Sequence, residues 1–140
     1  FEETFSGCTA LKEVSCSDNL LKVHCNAFNN TPWDENLPVE GGVKYMGNIA
    51  MYVVDTQNAA GIREGTISIA DGFNSSYLSD FSLPTSLRRI GDYALRSYNL
   101  STLLLPEGLE EGVANWRLST TMPSICKQHI FSRIVPRWRR

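Results

Sequence analysis

Residues 82–108 read SLPTSLRRIGDYALRSYNLSTLLLPEG, and one apolar pattern passes through this region twice. Pro84 and Pro106 are 22 residues apart, and so are Leu83 and Leu105, and Leu87 and Leu109. Leu78 with Leu100 and Phe81 with Leu103 share the same offset. Each pass therefore places apolar residues at a spacing of three and then two: Leu78, Phe81 and Leu83, then Leu100, Leu103 and Leu105. Upstream, Leu11, Val14 and Cys16 repeat that spacing. A further apolar pair follows each triplet, Leu20 and Val23, then Leu87 and Ile90, with Leu109 opening a third. The passes close on a small residue and a large one: Ala27–Phe28, Gly72–Phe73 and Ala94–Leu95.

A period of this length with an L-x-x-L-x-L core is the signal of stacked leucine-rich repeats. The last two apolar positions point inward from a short strand, and the residue between them points out. Pro84 and Pro106 end that strand. Gly91, in the IGD corner, is expected to supply a positive φ. One such coil cannot bury enough apolar surface to fold alone, so its inward side chains must pack against those of the next. The spacing predicts parallel strands near 13–16, 80–83 and 102–105, and little helix. Repeats are placed near 5–28, 67–95 and 95–111, within a solenoid spanning 1–111.

Residues 31–62 break the period. Gly41–Gly42 and Gly47–Asn48 are turn signals. Val43 and Tyr45 alternate with polar residues, as do Ile49, Met51 and Val53 with their neighbours, so the segment reads as an inserted β-hairpin near 42–54. Trp33 is its expected anchor.

The stretches ETFSGCTALKEV, IADGF, SLRRIGDYAL and LPEGLEE resemble the BspA-like leucine-rich repeat proteins over residues 1 to about 111. The insert around NAFNNTPWDENLPVEGGVKYMGNIAM is also similar to one that recurs there. The resemblance implies a β-rich leucine-rich repeat solenoid, with short parallel strands on one face, displayed at the cell surface or secreted. It also implies a role in adhesion or host-matrix binding. Gly72–Phe73 departs from the family pattern by lacking the alanine usual between them.

The chain has 140 residues and a net charge of −2, which hides an asymmetry. No acidic residue follows Glu111, whereas Arg117, Lys127, Arg133, Arg137, Arg139 and Arg140 give the tail +6. The chain opens on Phe1 without an initiator Met or a signal peptide, and is read as a fragment. Residues 112–140 do not continue the repeats. Read two bases out of frame, with permissible codons, they give a stretch similar to YNLSTLLLP, so the tail is expected to be a frameshifted repeat. The rival reading is a basic arm, with Trp116 and Trp138, for nucleic acid or an acidic surface.

Catalytic and metal chemistry find no support in the spacing. Cys8, Cys16, Cys25 and His24 lack the close cysteine pairs usual for zinc. Cys16 is expected to face the core, Cys8 to be structural and Cys25 to be exposed. Adjacent strand residues point to opposite faces, which separates Cys25 from His24 as a nucleophile and base. Asp55, Glu64, Asp71 and Asp92 read as solvated turn carboxylates. There is no phosphate loop, no nucleophile elbow and no apolar run of membrane-spanning length. The chain is read as non-catalytic, with no cofactor, no metal, no membrane insertion and no nucleic-acid partner.

Two classes of function remain: a binding module for a protein or glycan ligand, host matrix included, and a passive spacer that displays another domain. For the first, the outward strand residues Glu13, Ser15, Asp80, Ser82, Thr102 and Leu104 form the candidate face, in rows about 4.8 Å apart. Trp33 and Tyr45 of the hairpin are the secondary candidates. Leu103, Leu105 and Leu109 are expected to lack a covering neighbour at the last coil, which favours end-to-end self-association.

Overall fold

The computed structural model describes residues 2–59, 61–75, 82–95 and 104–110. These residues form a short helix, α1 (Pro32–Glu35), and the strands β1 (Val39–Glu40), β2 (Val43–Met46), β3 (Ile49–Val53), β4 (Ser68–Ile69) and β5 (Arg89–Ile90). The strands lie side by side in chain order in one open sheet. The pairs β1–β2 and β2–β3 are antiparallel. The pairs β3–β4 and β4–β5 are parallel.

Helix α1 exists because its start is well capped. Thr31 is extended (φ −116°), its hydroxyl accepts the Asp34 N–H, and Pro32 occupies the first turn. The same hydroxyl donates to the Phe28 carbonyl at 2.8 Å, which fixes α1 to the end of the first repeat. Trp33 packs edge-on against Phe28, with centroids 4.6 Å apart, and Phe28 stacks on Phe5 at 5.2 Å.

The hairpin falls where the alternation placed it. Gly41, Gly42 and Gly47 take positive φ at its two turns. Gly42 also makes a close approach, since a Cβ there would lie 2.6 Å from the Asp55 carbonyl oxygen. A register shift between Lys44 and Tyr45 bends β2. The alternation implied one buried face, but all four residues of β2 are buried.

The reason is that the sheet separates two apolar clusters. Val43, Tyr45 and Ala50 join Ile69, Phe73, Leu87, Ile90, Ala94, Leu105 and Leu109 on one side. Met46, Ile49 and Met51 join Cys25, Ala27, Phe28 and Ala70 on the other, flanked by Leu11, Val14, Leu20, Val23 and Trp33. The first repeat thus covers the face of the sheet opposite the one covered by the later repeats.

The parallel strands lie elsewhere than the spacing predicted. Among the described residues, none of 13–16, 82–83 or 104–105 is in a strand, while 80, 81, 102 and 103 fall outside them. Strand pairing begins instead after each proline-initiated turn. Leu87 N–H bonds Pro84 O and Leu109 N–H bonds Pro106 O, and the next residues reach the preceding coil. Arg88 N–H donates to Ile67 O at 2.9 Å and Glu110 N–H to Arg88 O at 2.7 Å. Proline has no N–H to give such a ladder, so the bonds form beyond it. Leu105 and Leu109, expected to lack a covering neighbour, are buried; Leu103 lies outside the described residues.

Two cysteines reverse their expected places: Cys16 is exposed and Cys25 is buried, while Cys8, read as structural, is exposed. Cys16 sits in the irregular segment after Val14, where no strand directs it inward. Cys25 follows a coil-to-coil bridge between His24 and Asp71 that carries it into the second cluster.

Candidate binding surfaces

The described members of the candidate face are all exposed: Glu13, Ser15, Ser82 and Leu104, the last at 73%. Asp80 and Thr102 lie outside the described residues. The apolar neighbours of these positions diverge. Leu11 and Val14 pack on the second cluster, whereas Leu83 and Leu105 belong to the first. Of the hairpin candidates, Trp33 is half-buried. Tyr45 is fully buried: its hydroxyl accepts the Arg63 N–H at 3.1 Å, and the Arg63 guanidinium lies 4.0 Å from its ring centroid. It is a core residue and is not offered to a ligand. Burial, the largest influence, pushes its phenol pKa up.

Cys25 and His24 come closer than alternation allows, because the chain turns between them. The Cys25 sulfur lies 4.0 Å from His24 Nδ1. That nitrogen, however, accepts the backbone N–H of Asn26 at 3.2 Å. The Cys25 thiol itself donates to Asn26 Oδ1 at 3.4 Å. Burial raises the thiol pKa, which disfavours the thiolate that a nucleophile needs. Among the described residues no group of three or more His, Cys, Asp or Glu side chains could hold a metal ion.

Asp71, expected to be a solvated turn residue, is the centre of a buried network. Its Oδ1 accepts from the Arg89 guanidinium and from the Asp92 N–H. Arg89 also donates to the Leu21 carbonyl at 3.3 Å, and Ser68 Oγ donates to the same carbonyl. The ion pair is nearly out of solvent, with the side chain of Arg89 5% and that of Asp71 14% exposed. Ser68 and Arg89 are register partners in β4 and β5, so their side chains share a face. That face meets the first repeat at Leu21, and polar bonds replace apolar packing there. Sequence spacing gave no sign of this, since nothing marks Arg89, between the apolar Leu87 and Ile90, as a buried residue. Of the other turn carboxylates, Asp55 caps Gln57 and Asn58, and Glu64 accepts from Thr85.

Two clefts open on the flanks of the sheet. One, of about 570 Å³, is largely apolar, with Phe5, Leu20, Val23, Phe28 and Tyr93 in its walls and Glu2 and Asp92 beside them. The other, of about 410 Å³, is lined by Cys25, Asn26, Asn29, Asn30, Asp34, Tyr52, Val53, Gly72 and Asn74. Within it, Tyr52 donates its hydroxyl to Asp34 Oδ2 at 2.7 Å. Burial first, and then this bond to a carboxylate, raise the Tyr52 pKa. Lys44 Nζ donates to the Asp34 carbonyl at 2.8 Å and lies 3.8 Å from Oδ2.

Coil-to-coil bonds at offsets of 21 and 22 residues, with one apolar side chain after another feeding a shared cluster, define a repeat protein. The family comparison agrees. The BspA type leucine-rich repeat region, in six copies, matches residues 1–73 and 68–115, and the chain belongs to this family. No curated protein and no solved structure matches the chain.

Proposed function

We propose that the chain is part of a leucine-rich repeat solenoid that acts as a non-catalytic interaction and adhesion module at the cell surface. The observation that carries this reading is family membership across residues 1–115. Leucine-rich repeat domains generally mediate protein binding, and the BspA type is typically surface-exposed or secreted. One feature of the described residues supports it. The Cys25–His24 pair, the nearest approach to a catalytic constellation among them, has its nitrogen lone pair occupied and its thiol held neutral.

The binding face in this proposal comprises Glu13, Ser15, Asp80, Ser82, Thr102 and Leu104. Leu104 is its most apolar member and is 73% exposed. The partner is a protein or glycan of the host matrix, bound weakly at each coil and with avidity across many. The decisive experiment immobilises matrix proteins and measures attachment of the chain and of a variant with Glu13, Asp80 and Thr102 all replaced by lysine. Loss of attachment with unchanged circular dichroism supports the face. Attachment unchanged in the variant removes these residues from the site. Absence of attachment to any matrix protein favours the spacer role.

A further inference from the structure

We infer that the 410 Å³ cleft between the end of the first repeat and the hairpin is a binding site for a neutral saccharide. The cleft shares no residue with the proposed strand face, and the inference stands or falls independently of it.

The argument begins with hydrogen-bonding capacity left unused. Asn26 Oδ1 accepts from Asn29 Nδ2 at 3.0 Å and from the Cys25 thiol. That leaves the Asn26 amide donors and the Asn29 amide oxygen without a partner among the described residues. Asn30 stands beside them, exposed, with a φ of 59°. Asp34 is only 6% exposed, yet its Oδ1 is buried and bonded to nothing among the described residues. A buried carboxylate oxygen is costly to leave unpaired, and because Oδ1 is shut off from solvent the Asp34 carboxylate must turn toward the cleft for a bound hydroxyl to pair with it.

The composition of the wall selects the ligand. Side-chain amides offer donors and acceptors together, which matches hydroxyl groups that both donate and accept. Tyr52 supplies an aromatic wall for the C–H face of a sugar ring. An anionic ligand would meet the Asp34 carboxylate. For a metal ion, the described residues offer no group of three or more His, Cys, Asp or Glu side chains.

The turn geometry holds this arrangement in place. Asn26 N–H is tied to His24, and Asn29 N–H to Asn26 O. Thr31, fully buried, locks the start of α1 so that Asp34 faces the cleft lining. Asn26 and Asn29 are therefore ordered before a ligand arrives, which lowers the entropic cost of binding.

The test titrates the ¹⁵N-labelled chain with glucose, galactose, mannose and N-acetylglucosamine at millimolar concentrations, with calcium chloride in a separate arm. The side-chain amide signals of Asn26, Asn29 and Asn30 are expected to shift with at least one sugar and not with calcium. Asn30→Gly keeps the positive φ and Asp34→Asn keeps the volume; each is expected to weaken binding about tenfold, the loss of roughly one hydrogen bond. The lysine variant of the strand face is expected to bind the sugar normally. Amide signals unmoved by all four sugars, a response to calcium alone, or binding lost in the strand-face variant would each overturn the inference. The wild-type titration decides the matter even if either cleft variant fails to fold.

Discussion

The coils that pass through β4 and β5 occupy the same repeat position but solve the same corner differently. The first reads Ile69–Ala70–Asp71–Gly72 and the second Ile90–Gly91–Asp92–Tyr93. At the third position both coils carry a half-buried aspartate, yet Asp71 is paired with Arg89 while Asp92 has no ion pair among the described residues. At the fourth position both backbones adopt positive φ, 78° at Gly72 and 60° at Tyr93. Glycine makes that conformation free in one coil, and a bulky side chain bears the strain in the other. At the second position the glycine of the later coil serves a different end. Gly91 was expected to provide positive φ, but it is absent from the positive-φ residues, and a Cβ there would lie 2.5 Å from Ala70 C and Asp71 N. Repeat position fixes the path of the backbone; the neighbouring coil decides what each side chain does there.

The comparison can be broken most sharply at the aspartates. Asp71→Ala leaves Arg89 buried without its partner and is expected to cost about 3–5 kcal/mol. Asp92→Ala removes a half-buried side chain that has no ion partner among the described residues and should cost about 0.5 kcal/mol or less. Urea unfolding of both variants checks this, and equal losses would show that the two corners are equivalent after all.

Gly91→Ala is expected to be next in size, at about 2–3 kcal/mol, because the clash is with backbone of the adjacent coil rather than with a side chain that can move. Thermal unfolding reads the effect; a loss below about 0.5 kcal/mol would mean that the coils separate easily.

At the positive-φ position the signs should be opposite. Gly72→Ala forces a side chain into a left-handed conformation beside His24 and Cys25, 3.0 and 3.1 Å away, and should cost about 1–2 kcal/mol. Tyr93→Asn installs a residue that tolerates that conformation and should gain a few tenths of a kcal/mol, about 0.3. A destabilised Tyr93→Asn variant would show that contacts of the tyrosine outweigh its strain.

The smallest expected effect is on pH dependence. The pKa values of Cys25, Tyr45 and Tyr52 are raised on folding, each chiefly by burial. The unfolded chain therefore releases these protons first as pH rises. Their contribution is fully present below the ordinary cysteine value of 9.0 and is lost as pH climbs through the raised values. Stability measured by urea midpoint should fall above pH 9.0, and replacing Cys25 with Ala should reduce the slope of that fall.

Residue spacing and motifs alone established the repeat, the family and the hairpin. The 22-residue offset of Leu83, Pro84 and Leu87 with Leu105, Pro106 and Leu109 needs no coordinates, because stacked coils demand inward apolar residues at equal intervals. The alternation around Gly47–Asn48 marked the hairpin for the same kind of reason: period two is a local property of a strand. Only the tertiary structure decided where the parallel bonds form, because a ladder depends on which N–H groups face the neighbouring coil. Only it showed that the first repeat covers the opposite face of the sheet, turning Cys25 inward and leaving Cys16 exposed. The Asp71–Arg89 pair and the cleft of Asn26, Asn29, Asn30 and Asp34 were likewise hidden. Their members lie on different turns and strands, and periodicity records which residues face inward but not which neighbours the fold sets beside them.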